Sequence, residues 1–302
     1  MTQYAHPEWL AETDWLATHL GEPGIRILDC RRDRGLVSRV MDLQDPRRLG
    51  QDRPATDLYR QAHVPGAAYL DIYRPEMTDA SDPTPGNVAP PQQFAALMGG
   101  LGIGDGHTVV LYDGHGNFFA CRVWWALRYY GHNKVKVLNG GFTKWSAEKR
   151  PTRSGDESYP PATFTPRVQP GLRVDLDRIR VVVGDPSARR AASIIDARPP
   201  ARYRGEVVYD SKRGGHVPGA VNVPWEHNLN ADMTFKSADD LAAMYADLGI
   251  RPGQQVYTYC GRGTAAAGIV FILRLLGHDR AATYDSGLAE WGNREDTPVE
   301  NG

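Results

Sequence analysis

Cysteine is scarce in this sequence: Cys30, Cys121 and Cys260 are the three in 302 residues. The number is odd, the spacings are wide and no CxxC occurs. That argues against a disulfide framework or a zinc site, and a reducing compartment leaves the thiols free. Long apolar runs are missing too. No stretch approaches the ~20 residues needed to span a bilayer. The opening MTQYAHPEWLAETDWLATHL lacks the basic start and unbroken apolar core of a secretory signal. It predicts an amphipathic helix after Pro7, and the expected protein is soluble and cytoplasmic. Charge excess is also absent, with 35 basic against 36 acidic side chains and a net charge of -1. This excludes the broad electrostatic footprint of a nucleic-acid or anionic-membrane binder, so any cationic site must be local.

What the chain does have is alternation. Strand-like runs at Ile25–Asp29, Ala67–Ile72, Thr108–Tyr112 and Lys134–Leu138 alternate with helical patterns at Pro91–Gly99 and Phe118–Tyr130. The pattern predicts an α/β fold with mainly parallel sheets flanked by helices. Then it returns. ILDCR at Ile27–Arg31 reappears as IIDAR at Ile194–Arg198. HVPGAAYL from His63 reappears as HVPGAVNV from His216, an offset of 153 residues. LGIGDGHTVVLYDG from Leu101 returns as LGIRPGQQVYTYCG from Leu248, an offset of 147, and NGGFTKW from Asn139 as DSGLAEW from Asp285, an offset of 146. A repeated unit of domain size marks a duplication, not a solenoid. Pro151, Pro160, Pro161, Pro166 and Pro170 fall between the copies and predict an extended linker. The expected organisation is a domain at 1–150, a linker at 151–172 and a second domain at 173–302.

Two copies of one fold control for each other. HVPG occurs in both, so His63 and His216 read as turn residues that hydrogen-bond locally. Asp29 and Asp196 read as anchors of the loops that follow them. The copies differ where LYDGHGN becomes TYCGRGT: Asp113 falls opposite Cys260, Gly114 opposite Gly261 and Gly116 opposite Gly263. The loop is kept and its reactive atom is not, which makes the second domain catalytic and the first an inactive scaffold. Cys260 stands where an apolar strand gives way to a long apolar helix starting near Thr264 or Ala265. Glycines let successive N–H groups turn inward as an anion nest, and the helix start adds the positive end of its dipole. Arg262 adds a cation, and all three favour a thiolate. Cys30, opposite Ala197, and Cys121, read opposite Gly268, are packing residues.

The doubled, ordered set of HVPG, DxR and LGI–strand–CGxGTA blocks resembles the two-domain rhodanese sulfurtransferases, the family of thiosulfate and 3-mercaptopyruvate sulfurtransferases. The resemblance covers nearly the whole chain. It implies two rhodanese-like domains with only the C-terminal one active, and a site between them at the loop Cys260-Gly261-Arg262-Gly263-Thr264-Ala265. It implies a double displacement with Cys260 as the catalytic nucleophile. The thiolate takes the outer sulfur of a donor, becomes a persulfide, and yields that sulfur to cyanide or a thiol. No metal or organic cofactor is required. Arg202 matches the family's donor-contacting arginine, with Ala201 in place of the usual glycine. Arg198 is a second candidate, although Arg31 stands opposite it in the inactive copy, and Lys212 and Arg213 are candidates to line the same cleft. The implied partners are a small-molecule sulfur donor and a thiol or cyanide acceptor, with no nucleic acid, no membrane and no acceptor protein identified.

Donor choice rests on the loop. Thiosulfate-type loops of the family carry two basic residues after the cysteine, and mercaptopyruvate-type loops carry Gly then Ser. Gly261 matches the second type and Arg262 the first, and a cation at Arg262 favours a small dianion such as thiosulfate. The family's FDID segment is kept in part, as YLDIY at Tyr69–Tyr73. A cysteine phosphatase on the same fold would need an arginine six residues after the cysteine to clamp phosphate, and Ala266 stands there. A binding module without chemistry would have no need of the intact Cys260 loop.

Overall fold

The structure, a computed structural model, describes residues 3–33, 53–209 and 211–302. In the first half the elements are β1 (Leu10–Ala11), α1 (Thr13–Thr18), β2 (Ile25–Asp29), β3 (Arg32–Asp33), β4 (Arg53–Pro54) and α2 (Thr56–Gln61). They continue with β5 (Ala67–Tyr69), α3 (Pro91–Gly100), β6 (Thr108–Tyr112), α4 (Phe118–Tyr129), β7 (Val135–Leu138) and α5 (Gly141–Ala147). The second half has β8 (Arg173–Val174), α6 (Leu176–Gly184), α7 (Pro186–Ala191), β9 (Ala192–Asp196), α8 (Pro200–Tyr203) and β10 (Val221–Asn222). It ends with α9 (Ala238–Asp247), β11 (Gln255–Tyr259), α10 (Thr264–Leu275), β12 (Ala281–Tyr284) and α11 (Gly287–Trp291).

Each half builds a five-stranded sheet. The orders are β1-β7-β6-β2-β5 and β8-β12-β11-β9-β10, and every pairing in both is parallel. Parallel sheets need both faces covered. The central strands meet this need: TVVLY of β6 and QVYTY of β11 are buried in all but their first residue. The tandem α/β architecture expected from the repeat is the one observed.

One local expectation changes. The stretch after Pro7 is not one amphipathic helix. Pro7–Trp9 forms a single 3-10 turn, Leu10 and Ala11 pair with Val137 and Leu138 at the sheet edge, and only then does α1 begin. Backbone pairing to β7 outweighs the helical spacing of the apolar residues. The proline-rich stretch from 151 to 169 holds neither helix nor named strand. It runs as a strap over the first half, with Arg153 bridged to His63, Ala162 N–H donating to Gly99 O and Arg167 N–H to Tyr130 O.

Outward-facing cores are separate: Ile27, Val110, Tyr112 and Trp145 in the first half, Ile194, Tyr257, Tyr284 and Trp291 in the second. The inward-facing cores merge into one through α4 and α10. Trp124 meets Phe271 edge-on there, with ring centroids 4.9 Å apart. Every residue of α10 from Thr264 to Leu273 is buried, as a helix apolar on all sides must be. The merged core fixes α10, and with it the loop before it, against the first half.

Candidate active site at the Cys260 loop

Tyr259, the last residue of β11, is locked before the chain turns. Its hydroxyl donates to Asp196 Oδ2 at 2.7 Å and accepts from Val217 N–H of the HVPG turn at 3.0 Å. Asp196 also accepts from Arg198 N–H and Arg198 Nε. The first half repeats the clamp: Tyr112 donates to Asp29 at 2.8 Å, Val64 N–H donates to Tyr112 at 3.1 Å, and Arg31 pairs with Asp29. Burial and then the neighbouring carboxylate push both phenols well up. Repetition in both halves assigns the clamp to folding. The HVPG histidines are structural as well, His63 bonding Tyr59 O and His216 bonding Tyr203 O through Nδ1.

Beyond Tyr259 the loop is shaped so that its carbonyls face away. Leu288 N–H holds Cys260 O at 2.8 Å, and Ala289 N–H holds Gly261 O at 3.0 Å. With those carbonyls tied to α11, the loop's N–H groups face the other way. Gly263 caps α10 in the left-handed region, at φ 76°, which only glycine adopts without strain. The first N–H groups of α10 have no acceptor within the helix. Cys260 is 5% exposed, at the top of this cradle.

The first half shows what such a cradle holds. Asp113 folds its own carboxylate into it: Oδ1 accepts from His115 N–H at 2.6 Å and Asn117 N–H at 2.9 Å, and Oδ2 from Phe119 N–H at 2.6 Å and Ala120 N–H at 3.0 Å. Burial raises the Asp113 carboxyl above the ordinary carboxylate value, against the pull of those four donors. The copies differ in length here. α4 starts at 118 and α10 at 264, an offset of 146, whereas β6 and β11 keep 147. His115 and Gly116 therefore stand against the single residue Arg262. Asn117, left-handed at φ 64°, is the counterpart of Gly263, and Cys121 is the counterpart of Ala267, not of Gly268. Cys30 and Cys121 are fully buried, and burial pushes both thiols well up, consistent with packing roles.

The arginines separate on geometry. Arg198 is 3% exposed and pairs with Asp196 at 2.5 Å, its other bond going to Gly215 O. Burial lowers its basicity, the Asp196 carboxylate outweighs that, and Cys260 adds to the net rise. It is a buried structural partner lying within electrostatic reach of the thiol, as Arg31 is its twin on Asp29. Arg213 is engaged by backbone carbonyls. Its guanidinium donates to the carbonyls of Trp291, Gly292, Arg294 and Thr297, closing the end of α11. The basic run SKRGG suggests a cleft-lining loop, and the carbonyls α11 leaves open draw Arg213 inward instead. Lys212 is held on the same side by its N–H bond to Asn293. Arg202, on α8, keeps partial exposure and lies over the Tyr209 ring at 5.2 Å.

Comparison with known proteins follows this geometry. The model of the rhodanese-like domain matches residues 12–148 and 183–294. The chain belongs to the rhodanese family. The sulfur carrier protein TtuD of Thermus thermophilus is 34% identical over 99% of both chains. The thiosulfate sulfurtransferase of Corynebacterium glutamicum is 31% identical over 99% of this chain and 93% of its own. The crystal structure of SseA, a 3-mercaptopyruvate sulfurtransferase of Escherichia coli, superposes with a TM-score of 0.78 at 31% identity, covering 92% of this chain and 98% of that one.

Residues of both halves surround the Cys260 loop of this rhodanese. A hairpin closed by the Thr78–Val88 bridge reaches over from the first half. A methyl group on its Gly86 would come to 3.0 Å from Arg262 Cβ. Val88 N–H donates to Asp285 Oδ2 at 2.8 Å and Asn87 Nδ2 to Ser286 at 3.0 Å. Tyr73 Oη lies 3.2 Å from Thr264 Oγ1, and Arg122 pairs with Asp285 at 2.6 Å. The sequence points to Tyr73 only as the end of the YLDIY segment and does not point to Arg122. Asp285 was visible only as the start of a repeated block. Among the described residues no cluster of three or more His, Cys, Asp or Glu could hold a metal, and no helix is long and apolar enough to cross a membrane.

Proposed function

We propose that this rhodanese is a sulfurtransferase that moves the sulfane sulfur of thiosulfate to a thiophilic acceptor, cyanide or a thiol, with Cys260 as the carrier. The supporting observation is the Asp113 carboxylate seated on four N–H groups in the sister loop. An anion suits that cradle, and the second copy offers a thiol where the first offers its own carboxylate. In the first half-reaction the Cys260 thiolate attacks the outer sulfur of thiosulfate. A Cys–S bond forms, the S–S bond of the donor breaks, and sulfite leaves with the bonding pair. In the second, cyanide or a thiolate attacks the terminal sulfur of the persulfide and Cys260 departs as the thiolate. Arg262, Gly263, Ala265 and Ala266 are the counterparts of the Asp113 donors, and in this reading their N–H groups would hold the persulfide anion.

Arg202 is the donor-binding cation in this reading, and Arg262 beside the cysteine favours the dianion thiosulfate over a monoanionic keto acid. The second reading, 3-mercaptopyruvate as donor, draws on Gly261 directly after the cysteine and on the likeness to SseA. A phosphatase reading has no support: the position six residues on is Ala266, buried within α10, whose carbonyl accepts from Thr258. The catalytic unit in this reading is 173–302 and the inactive unit 1–150. The three free thiols suit a cytoplasmic setting, and the acceptor is a small thiol or cyanide, not a nucleic acid. Intact mass after incubation with each donor tests the proposal. Thiosulfate should add one sulfur atom to the wild type, removable by cyanide and absent in Cys260→Ser. No gain with thiosulfate and a gain with 3-mercaptopyruvate would replace the first donor with the second, and no gain with either would end the sulfurtransferase reading.

A further inference from the structure

Each half sends a hairpin across to the other half's loop region. Val88 N–H donates to Asp285 Oδ2 at 2.8 Å, and its counterpart Phe235 N–H donates to Asn139 Oδ1 at 3.0 Å. Asn139 and Asp285 are counterparts, so a neutral amide is sufficient for this cross-link. On the Cys260 side the position is nevertheless a carboxylate, fully buried, and it is matched by Arg122 of α4 at 2.6 Å. The counterpart of Arg122 is Gly268 in α10, so the inactive side lacks both charges.

The pair sits directly behind the loop. A methyl group on Gly263 would collide with Asp285 Oδ1 and come within 2.9 Å of Arg122 Nη1. In the sister loop this space is filled from within: Asn117, the counterpart of Gly263, sends Nδ2 to Leu138 O at 2.7 Å and ties the loop to its own sheet. Gly263 has no side chain to do this, and its support comes from Asp285 and, across the domain boundary, from Arg122. Arg122 Nη2 also donates to Gly86 O at 3.0 Å, its guanidinium lies 4.5 Å from the Trp125 ring, and Arg173 Nε stands 3.9 Å from Asp285. Asp285 opens the segment whose Leu288 and Ala289 N–H groups turn the loop carbonyls outward.

We propose that Arg122 of the first half is a positioning residue for sulfur transfer, holding the Gly263 turn through its buried pair with Asp285 and balancing the charge behind the Cys260 cradle. The first half is thus part of the working site. This rests on Cys260 as the sulfur carrier, and persulfide formation in the wild type is read first: its absence defeats that reading, whereas the outcomes below defeat this one.

The experiment measures the rate of iodoacetamide alkylation of Cys260 against pH, by intact mass, in Asp285→Asn, Arg122→Met, Arg122→Lys and the Asp285→Asn/Arg122→Met double variant. Arg198, Arg202 and Arg262 stay in place throughout. Asp285→Asn copies Asn139, keeps the Val88 bond and leaves a buried cation, so the alkylation midpoint moves to lower pH. Arg122→Met leaves a buried carboxylate and moves it to higher pH. Each shift is on the order of one pH unit, the effect of a unit charge ~10 Å away at an effective dielectric of ~20. The double variant returns towards the wild-type midpoint, and Arg122→Lys keeps the midpoint while lowering kcat at unchanged donor KM. A part that is merely structural gives no opposed shifts. Single variants moving the midpoint in the same direction, or not at all, overturn the proposal. Should Arg122→Met fail to fold, Asp285→Asn decides alone, and an unmoved or raised midpoint overturns it.

Discussion

Replacing Asp113 by alanine tests whether the first-half loop is held by its own anion. The carboxylate satisfies four N–H groups at 2.6 to 3.0 Å, three of them in fully buried bonds. A buried donor left without an acceptor costs about 1–3 kcal/mol. Four would total roughly 4–12 kcal/mol if nothing relaxed, and the release of one buried carboxylate offsets part of that. The expected loss is about 4 kcal/mol, a large share of the ~5–15 kcal/mol that stabilises a native fold. Asp113→Asn should fall between wild type and Asp113→Ala, since its amide keeps one oxygen for two donors and turns an NH2 towards the other two. Cys260→Ala, in a cradle whose occupant arrives from solution, should cost about 1 kcal/mol. The assay is urea unfolding followed by far-UV circular dichroism, with persulfide formation measured by intact mass on the same samples. Asp113→Ala within about 1 kcal/mol of wild type would refute the account of the cradle as an anion nest.

Arg198→Ala strands the buried Asp196 carboxylate and should cost about 3–5 kcal/mol in unfolding free energy; Arg31→Ala should cost a similar amount through Asp29, with persulfide formation intact. Arg202→Ala removes a partly exposed cation, so stability should stay within about 0.5 kcal/mol while donor KM rises about tenfold or more, read from steady-state thiocyanate formation. Arg213→Ala opens the carbonyls at the end of α11 and should lower stability by about 2–4 kcal/mol with donor KM unchanged in the folded fraction. Burial depresses His107, His132, His227 and His278 below the ordinary 6.5. As pH falls through 6.5 the unfolded chain binds protons before the folded chain does, so stability present above that value is lost on acidification. The urea midpoint should drop between about pH 7.5 and about pH 5.5, less steeply in His132→Gln.

Sequence carried the architecture because strands and turns are written locally. The run TVVLY, the doubled HVPG and the LGI blocks need no partner to be recognised, and TVVLY sets the bounds of β6 to the residue. Cys260 was legible for the same reason, standing between an apolar strand and an apolar helix. The loop register was less so. GHG and GRG look alike, and only the helix starts show that one copy carries an extra residue and that Asn117, not Gly116, stands where Gly263 stands. Arg213 was hard to read because its hydrogen-bonding partners, 78 to 84 residues on, lie at the end of α11.

The pairings invisible from sequence share one property: each joins residues of the two halves. Tyr73 meets Thr264, Arg122 meets Asp285 and Val88 meets Asp285, each separated by more than 160 residues. No local period or motif encodes such a pairing. The duplication does, once the halves are laid over each other, because a hairpin contact made in one direction has its counterpart in the other. A position where the symmetric contact persists but its chemistry changes then marks where function has been added. Asn139 against Asp285 is that position here. The amide keeps the hairpin bond on the Asp113 side; the carboxylate keeps the same bond and also recruits Arg122 behind Gly263. Loss of the thiol in the first copy and gain of the ion pair behind the second are therefore two sides of one asymmetry, and it falls on residues that touch the Cys260 loop.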